Sequence, residues 1–195
     1  MGHKTNLNSI LVLDLEATCW EGGWLNGTVN GQTQKEASEI IELGVCEIKR
    51  VDGVYKIVDK VGILVKPTKH PILSDYCTEL TSITNEQIKT EGLILDQALN
   101  TLNNRFAPKK KTLVAWGNYD SWMIKRECEE KGFMNSYKFS DTYINAKNLF
   151  ALKHNLSKEV GLTTALEMIN IPFEGSQHRG VDDAHNTAKL FLTLL

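Results

Sequence analysis

Ser9-Ile10-Leu11-Val12-Leu13-Asp14-Leu15-Glu16 is the stretch on which the fold turns. Its alternation spells a strand. Ile10, Val12, Asp14 and Glu16 share one face, and Leu11, Leu13 and Leu15 share the other. Apolar residues on both faces mark a central strand, covered on both sides. Asp14 and Glu16 lie about 6.6–7 Å apart along such a strand. From there they can hold a hard cation such as Mg²⁺, which prefers oxygen ligands. Alone the Asp-x-Glu pattern is weak, since roughly 0.7 chance matches are expected in a chain of this length. The ordinary alternative is a salt-bridged strand end. The apolar setting favours a site, because two charges there are costly unless something pairs with them.

Outward from this strand, Cys19 to Ala37 is rich in Gly and Asn and reads as a long loop. Glu39 to Lys49 and Tyr55 to Val65 read as strands, joined by a hairpin turn at Val51-Asp52-Gly53-Val54. Pro67 and Pro71 bound a connector. Thr84 to Thr90 reads as a short helix capped by Thr84. Leu95, Ala98, Leu99, Leu102 and Phe106 have the spacing of an amphipathic helix. Thr112 to Trp116 and Lys138 to Asp141 are further short strands. Helices are expected from Tyr119 to Lys131, Thr142 to Leu152, Gly161 to Ile169 and Asp182 to Leu195. Three strands joined by short turns, then alternating strands and helices, give an α/β domain with a mixed central sheet of about five strands flanked by helices. No linker divides residues 1–195, so a single domain is expected.

Two more acids stand at helix starts. In His178-Arg179-Gly180-Val181-Asp182-Asp183, His178 and Asp183 are about 140° apart on a helix. They converge only if His178 sits in a loop and Asp183 in the first turn. Asp182 is the expected N-cap, and Asp183 has the alternative of an ordinary first-turn acid. Asp120 follows Gly117-Asn118-Tyr119 in the same kind of position. Asp141 competes for this role but reads better as an N-cap.

The formal net charge is −2, with Lys+Arg 22 against Asp+Glu 24. Bulk charge therefore announces no polyanion partner, and nucleic-acid binding must come from local patches or cations. Cys19, Cys46, Cys77 and Cys128 form no metal motif, and their scatter suits a reduced, cytoplasmic setting. The apolar run before Asp14 is too short for a membrane span, so no membrane partner is expected.

These stretches together resemble the DEDDh 3′-to-5′ exonucleases, the group that contains polymerase proofreading exonucleases and ribonuclease T. Within it the pattern is most like the enhanced-RNA-interference type of exoribonuclease and the bacterial sporulation-inhibitor proteins similar to them. The resemblance runs through Val12 to Trp20, Glu39 to Gly44, Pro71 to Cys77, Leu80 to Thr84, Gly117 to Asp120 and Gly175 to Asp183. It implies a ribonuclease-H-like fold and an enzyme that releases nucleoside 5′-monophosphates from 3′ ends. It implies that Asp14, Glu16, Asp120 and Asp183 hold two Mg²⁺ or Mn²⁺ ions and that His178 is the general base. Ala17, Thr18, Tyr119, His178 and Arg179 would then contact substrate. RNA is favoured over DNA, with a single-stranded 3′ end as the expected partner.

Two ions about 3.5–4 Å apart activate water and stabilise the leaving oxygen in such chemistry. An imidazole with an ordinary pKa near 6.5 can take the proton. Tyr119 stands where relatives often carry Trp, and the loop from Cys19 to Ala37 looks longer than usual. Trp20 and Trp24 in or beside that loop are candidates for base stacking. Lys109-Lys110-Lys111 reads as a solvated loop. The rival readings are a ribonuclease-H-like endonuclease and a non-catalytic nucleic-acid-binding module. The placement of His178 disfavours the first, and the presence of all five site residues disfavours the second.

Overall fold

The first strand, β1 (Ser9–Ala17), forms the middle of a five-stranded mixed sheet in the computed structural model, which describes residues 8–22 and 27–195. Next in the chain come β2 (Thr28–Val29) and β3 (Gln32–Thr33), a separate two-stranded ribbon, followed by the single turn α1 (Gln34–Ala37). The strand β4 (Ile40–Val51) pairs antiparallel with β1, and β5 (Val54–Leu64) pairs antiparallel with β4. On the other side β6 (Thr112–Ala115) lies parallel to β1, and β7 (Tyr143–Asn145) lies parallel to β6. The β4–β5 turn has Asp52 and Gly53 at φ 52° and 82°, the left-handed pair that matches strand twist.

Both faces of β1 are covered, as its two apolar stripes require. Leu11, Leu13 and Leu15 pack against α4 (Leu95–Phe106) and α5 (Tyr119–Lys131) through Leu99, Leu102, Met123 and Ile124. Ile10 and Val12 pack against Ala184, Ala188 and Phe191 of α8 (Gly180–Leu192) and Ala146 of α6 (Ala146–Lys153). The connector after Pro67 carries α2 (Asp75–Thr81) and α3 (Asn85–Glu91), and α7 (Leu162–Met168) packs beside α6 and α8. Thr84 caps α3 in a reciprocal capping box with Gln87. No helix among the described residues is long and apolar enough to cross a membrane.

Several local expectations need correction. Part of Cys19–Ala37 is ordered secondary structure. Asn30 and Gly31 have φ 50° and 81°, so an Asn-Gly signal was a hairpin, and Thr33 with Glu36 forms a capping box on α1. Lys138–Asp141 is not a strand. Phe139, with Tyr137 just before the segment, packs against the α4–α5 core as a connector, and the pairing is made by Tyr143–Asn145. Asp141 is exposed and does not cap α6; Asn145 does, accepting the Asn148 N–H. Asp75–Thr81, where no element is expected from the sequence, forms α2 with Ser74 as its cap. The helix expected from Asp182 begins at Gly180. Gly44 has no room for a side chain there, because an added Cβ would lie 1.9 Å from the Gly180 carbonyl carbon. That contact seats the start of α8 on the sheet.

Candidate active site

β1 delivers Asp14 and Glu16 at its carboxyl end, on the face that α8 covers. α8 brings Asp183 against them from its first turn. One carboxylate oxygen from each of Asp14, Glu16 and Asp183 falls within 4.8 Å of the others. Asp120 comes from the first turn of α5 and is buried. Its Oδ1 accepts the Leu15 N–H at 3.0 Å, which ties α5 to the strand between the two acids. It stands beside the trio rather than within it. His178 precedes α8 in a turn, exposed and at φ 60°, a left-handed conformation that few non-glycine residues adopt, although His does so more often than most. Asp14, Glu16, Asp120, His178 and Asp183 all line one cavity of about 420 Å³.

The electrostatics of this cavity are one-sided. Burial pushes Asp14 well above the usual carboxylate range, and the charges of Asp120, Glu16, Asp183 and Glu42 push it further. Burial does the same to Glu16, with Asp183 and Glu42 adding to it. Asp183 is raised by burial to about 7, although the His178 backbone N–H opposes the shift. Burial lifts Asp120 to about 6 against its bond from Leu15. Among the described residues no lysine or arginine forms an ion pair with any of the four. An oxygen-only set of crowded carboxylates without a basic partner suits a hard divalent cation.

A second cavity of about 400 Å³ shares Leu15, Glu16 and Tyr119 with the first. Ala17, Thr18, Cys19 and Trp20 line it from the end of β1, and Tyr76 and Leu80 line it from α2. Thr18 is buried, and its hydroxyl accepts the Glu39 N–H. Trp20 meets the His70 ring edge-on at 4.9 Å. Gln34, Ser38, Tyr76 and Leu80 were not singled out from the sequence. The Thr33-x-x-Glu36 capping signal and the Ser74 cap could have placed the first and the last two on helices.

Three expectations end elsewhere. Arg179 lines neither cavity; its guanidinium takes both oxygens of the buried Glu42, at 3.2 and 3.3 Å, and Glu42 also accepts the Gly180 N–H. Asp182 does not cap α8. Its carboxylate accepts the Ser176 N–H and sits 3.8 Å from Lys60. Lys111 is no solvated loop residue, since it pairs with the buried Glu47. Trp24 lies outside the described residues.

The sequence matches the exonuclease family model over residues 11–191. The chain belongs to that family. Among its relatives are ERI1 exoribonuclease 2 of Xenopus laevis (29% identical, covering 93% of this chain and 27% of the relative) and the probable 3′-5′ exonuclease KapD of Bacillus subtilis (29% identical, covering 94% and 83%). The chain thus spans about a quarter of the length of the ERI1-type relative and most of the bacterial one. Among solved structures, this exonuclease-family chain superposes on the nuclease domain of 3′hExo, a DEDDh family member, bound to rAMP. The TM-score is 0.80 at 25% identity, covering 97% of this chain and 92% of the other. The ribonuclease-H-like fold expected from the sequence is therefore present.

Proposed function

We propose that residues 1–195 act as one metal-dependent 3′-to-5′ exonuclease unit that shortens nucleic acid from its 3′ end and releases nucleoside 5′-monophosphates. The observation that carries this reading is the single cavity into which β1, α5, α8 and the turn before α8 deliver Asp14, Glu16, Asp120, Asp183 and His178. Asp14, Glu16, Asp120 and Asp183 would hold two Mg²⁺ or Mn²⁺ ions. Such a pair supplies phosphate charge neutralisation and a water of lowered pKa. His178, exposed at the cavity rim, accepts the proton from the attacking water. The His178 backbone N–H faces the Asp183 carboxylate and lowers its pKa, so the base and a cation ligand adjoin.

The adjoining cavity gives the terminal nucleotide a place beside Glu16. Ala17 and Thr18 provide its floor, Tyr119 stands between the two cavities, and Trp20 offers an aromatic edge or face. That the similar 3′hExo nuclease domain binds rAMP supports a nucleotide as the kind of occupant. Single-stranded RNA is the preferred substrate in this reading, supported by the exoribonuclease relatives. Arg179 has no substrate role in it, being committed to Glu42.

The test uses 5′-labelled RNA and DNA strands with Mg²⁺, Mn²⁺ or chelator. A ladder of products shortened one nucleotide at a time, faster on RNA and abolished by chelator, is expected. Cutting of a strand with a blocked 3′ end would replace the exonuclease reading with an endonuclease.

A further inference from the structure

The insert between β1 and β4 raises the question of what its own small structure does. Its one buried polar side chain among the described residues that reaches back toward the end of β1 is Gln34, only 1% exposed, at the start of α1. All the polar capacity of its amide that faces the protein is spent on one short segment. Oε1 accepts the Trp20 N–H at 3.2 Å. Nε2 donates to the Trp20 carbonyl at 2.9 Å and to the Glu21 carbonyl at 2.8 Å. The side chain therefore grips Trp20 on both sides of its Cα, as a neighbouring strand would.

We propose that Gln34 is a positioning residue that fixes Trp20 as a wall of the terminal-nucleotide cavity, and that the insert makes part of this exonuclease's grip on the last base. The inference rests on the assignment of that cavity to the terminal nucleotide. Gln34 and Trp20 both line it. With its backbone held at the N–H and the carbonyl, Trp20 has its Cα–Cβ direction set. Its ring is then braced edge-on by His70, whose own N–H is bound by Glu39 at 3.0 Å. The clasp is itself anchored to α5. Arg126 donates to the carbonyls of Lys35 and Ser38, both at 2.5 Å, and stands with Lys35 against the Trp122 ring. A side chain fixed before substrate arrives loses less freedom on binding, so the effect belongs to affinity rather than to the chemical step.

The experiment compares wild type, Gln34→Ala, the near-isosteric Gln34→Glu, Trp20→Ala and the Gln34→Ala/Trp20→Ala double variant. KM and kcat are measured on a 5′-labelled oligonucleotide, and the Kd of adenosine 5′-monophosphate is measured by calorimetry with Mn²⁺. Gln34→Glu keeps the acceptor but faces two carbonyls without a donor. Both Gln34 variants are expected to raise KM and Kd about tenfold (about 1.4 kcal/mol), within the range for one stacked base. Turnover should stay within about threefold. The double variant should match Trp20→Ala, because the two residues act as one unit. A fall in kcat with KM and Kd unchanged would mean that Gln34 only supports the fold. Independent, multiplicative losses in the double variant would overturn the coupling to Trp20. If wild type cleaves no oligonucleotide, the exonuclease reading fails and the clasp is judged on Kd alone. Failure of the monophosphate to bind wild type overturns the clasp as well.

Discussion

Two clusters of acids in this molecule differ in what faces their charge. Glu39 and Glu127, both almost fully buried, share Lys131 at 2.8 and 2.6 Å. Glu39 also collects the N–H groups of Thr68, Lys69 and His70, and Glu127 takes that of Ile40. Burial would raise Glu39, yet Lys131 and these donors bring it down to about 2; in Glu127 burial wins and its pKa goes up, although Lys131 and the Ile40 N–H oppose the rise. Asp120 is buried and Asp14, Glu16 and Asp183 are half-buried, but their neighbours are one another, and their pKa values all go up. Burial alone does not mark a functional acid. What separates the groups is whether the fold supplies the counter-charge or leaves it to be bound from solution.

The largest effect that tests this contrast is on activity. Asp183→Asn should reduce exonuclease turnover to the assay floor while the metal-free protein melts no lower than wild type, because a repelling charge has gone. Asp182→Asn keeps an acceptor for Ser176 and should leave turnover nearly unchanged. The opposite ranking in labelled-strand assays would mean that the wrong acid of the pair has been placed in the site. His178→Ala should lower kcat by about 10²–10⁴-fold, with calorimetric Mn²⁺ binding retained and part of the rate recovered at raised pH. Wild-type turnover in that variant removes His178 from the mechanism.

In the paired group the sign on stability reverses. Glu39→Ala leaves Lys131 with Glu127 alone and strands three backbone donors, and should cost about 3–5 kcal/mol. That is on the order of 6–20 °C in Tm for a domain of this size. The Mn²⁺-induced shift should survive in this variant. A smaller effect belongs to the ions themselves. At 100 times Kd, one bound cation stabilises the fold by about 2.7 kcal/mol, or about 5–10 °C. Asp14→Asn should lose most of that shift. An equal shift in both proteins would place the cations elsewhere.

The smallest effect is the pH response. Asp183 at about 7 and Asp120 at about 6 hold protons that the unfolded chain, with ordinary values near 3.8, would release. Between those limits the folded state binds more protons, so metal-free stability should rise as pH falls from 8 toward 5.5. Glu39 adds nothing in that window, because its contribution is lost only as pH drops from about 4.5 toward 2. With Mn²⁺ present the trend should reverse, since protons then compete with the ions. Parallel slopes in melts with chelator and with Mn²⁺ would erase the proposed difference between the two groups.

The sequence by itself determined the frame. Two apolar stripes on one strand could be satisfied only by layers on both sides, so β1 was legible as central and its carboxylates as conspicuous. The stripe of α4, the cap of α3 and the Asp52-Gly53 turn are local devices, and each was readable in place. The tertiary structure decided the partners. Arg179 adjoins His178 in sequence, but the seat of Gly180 against Gly44 turns it onto Glu42. Lys111 ends a basic run, yet Glu47 on another strand claims it. The strand expected at Lys138–Asp141 was misplaced because apolar alternation does not reveal whether a segment pairs with a strand or packs on helices. Gln34 could not be linked to Trp20, fourteen residues earlier, because a hydrogen bond between a side chain and distant backbone leaves no periodic trace in sequence.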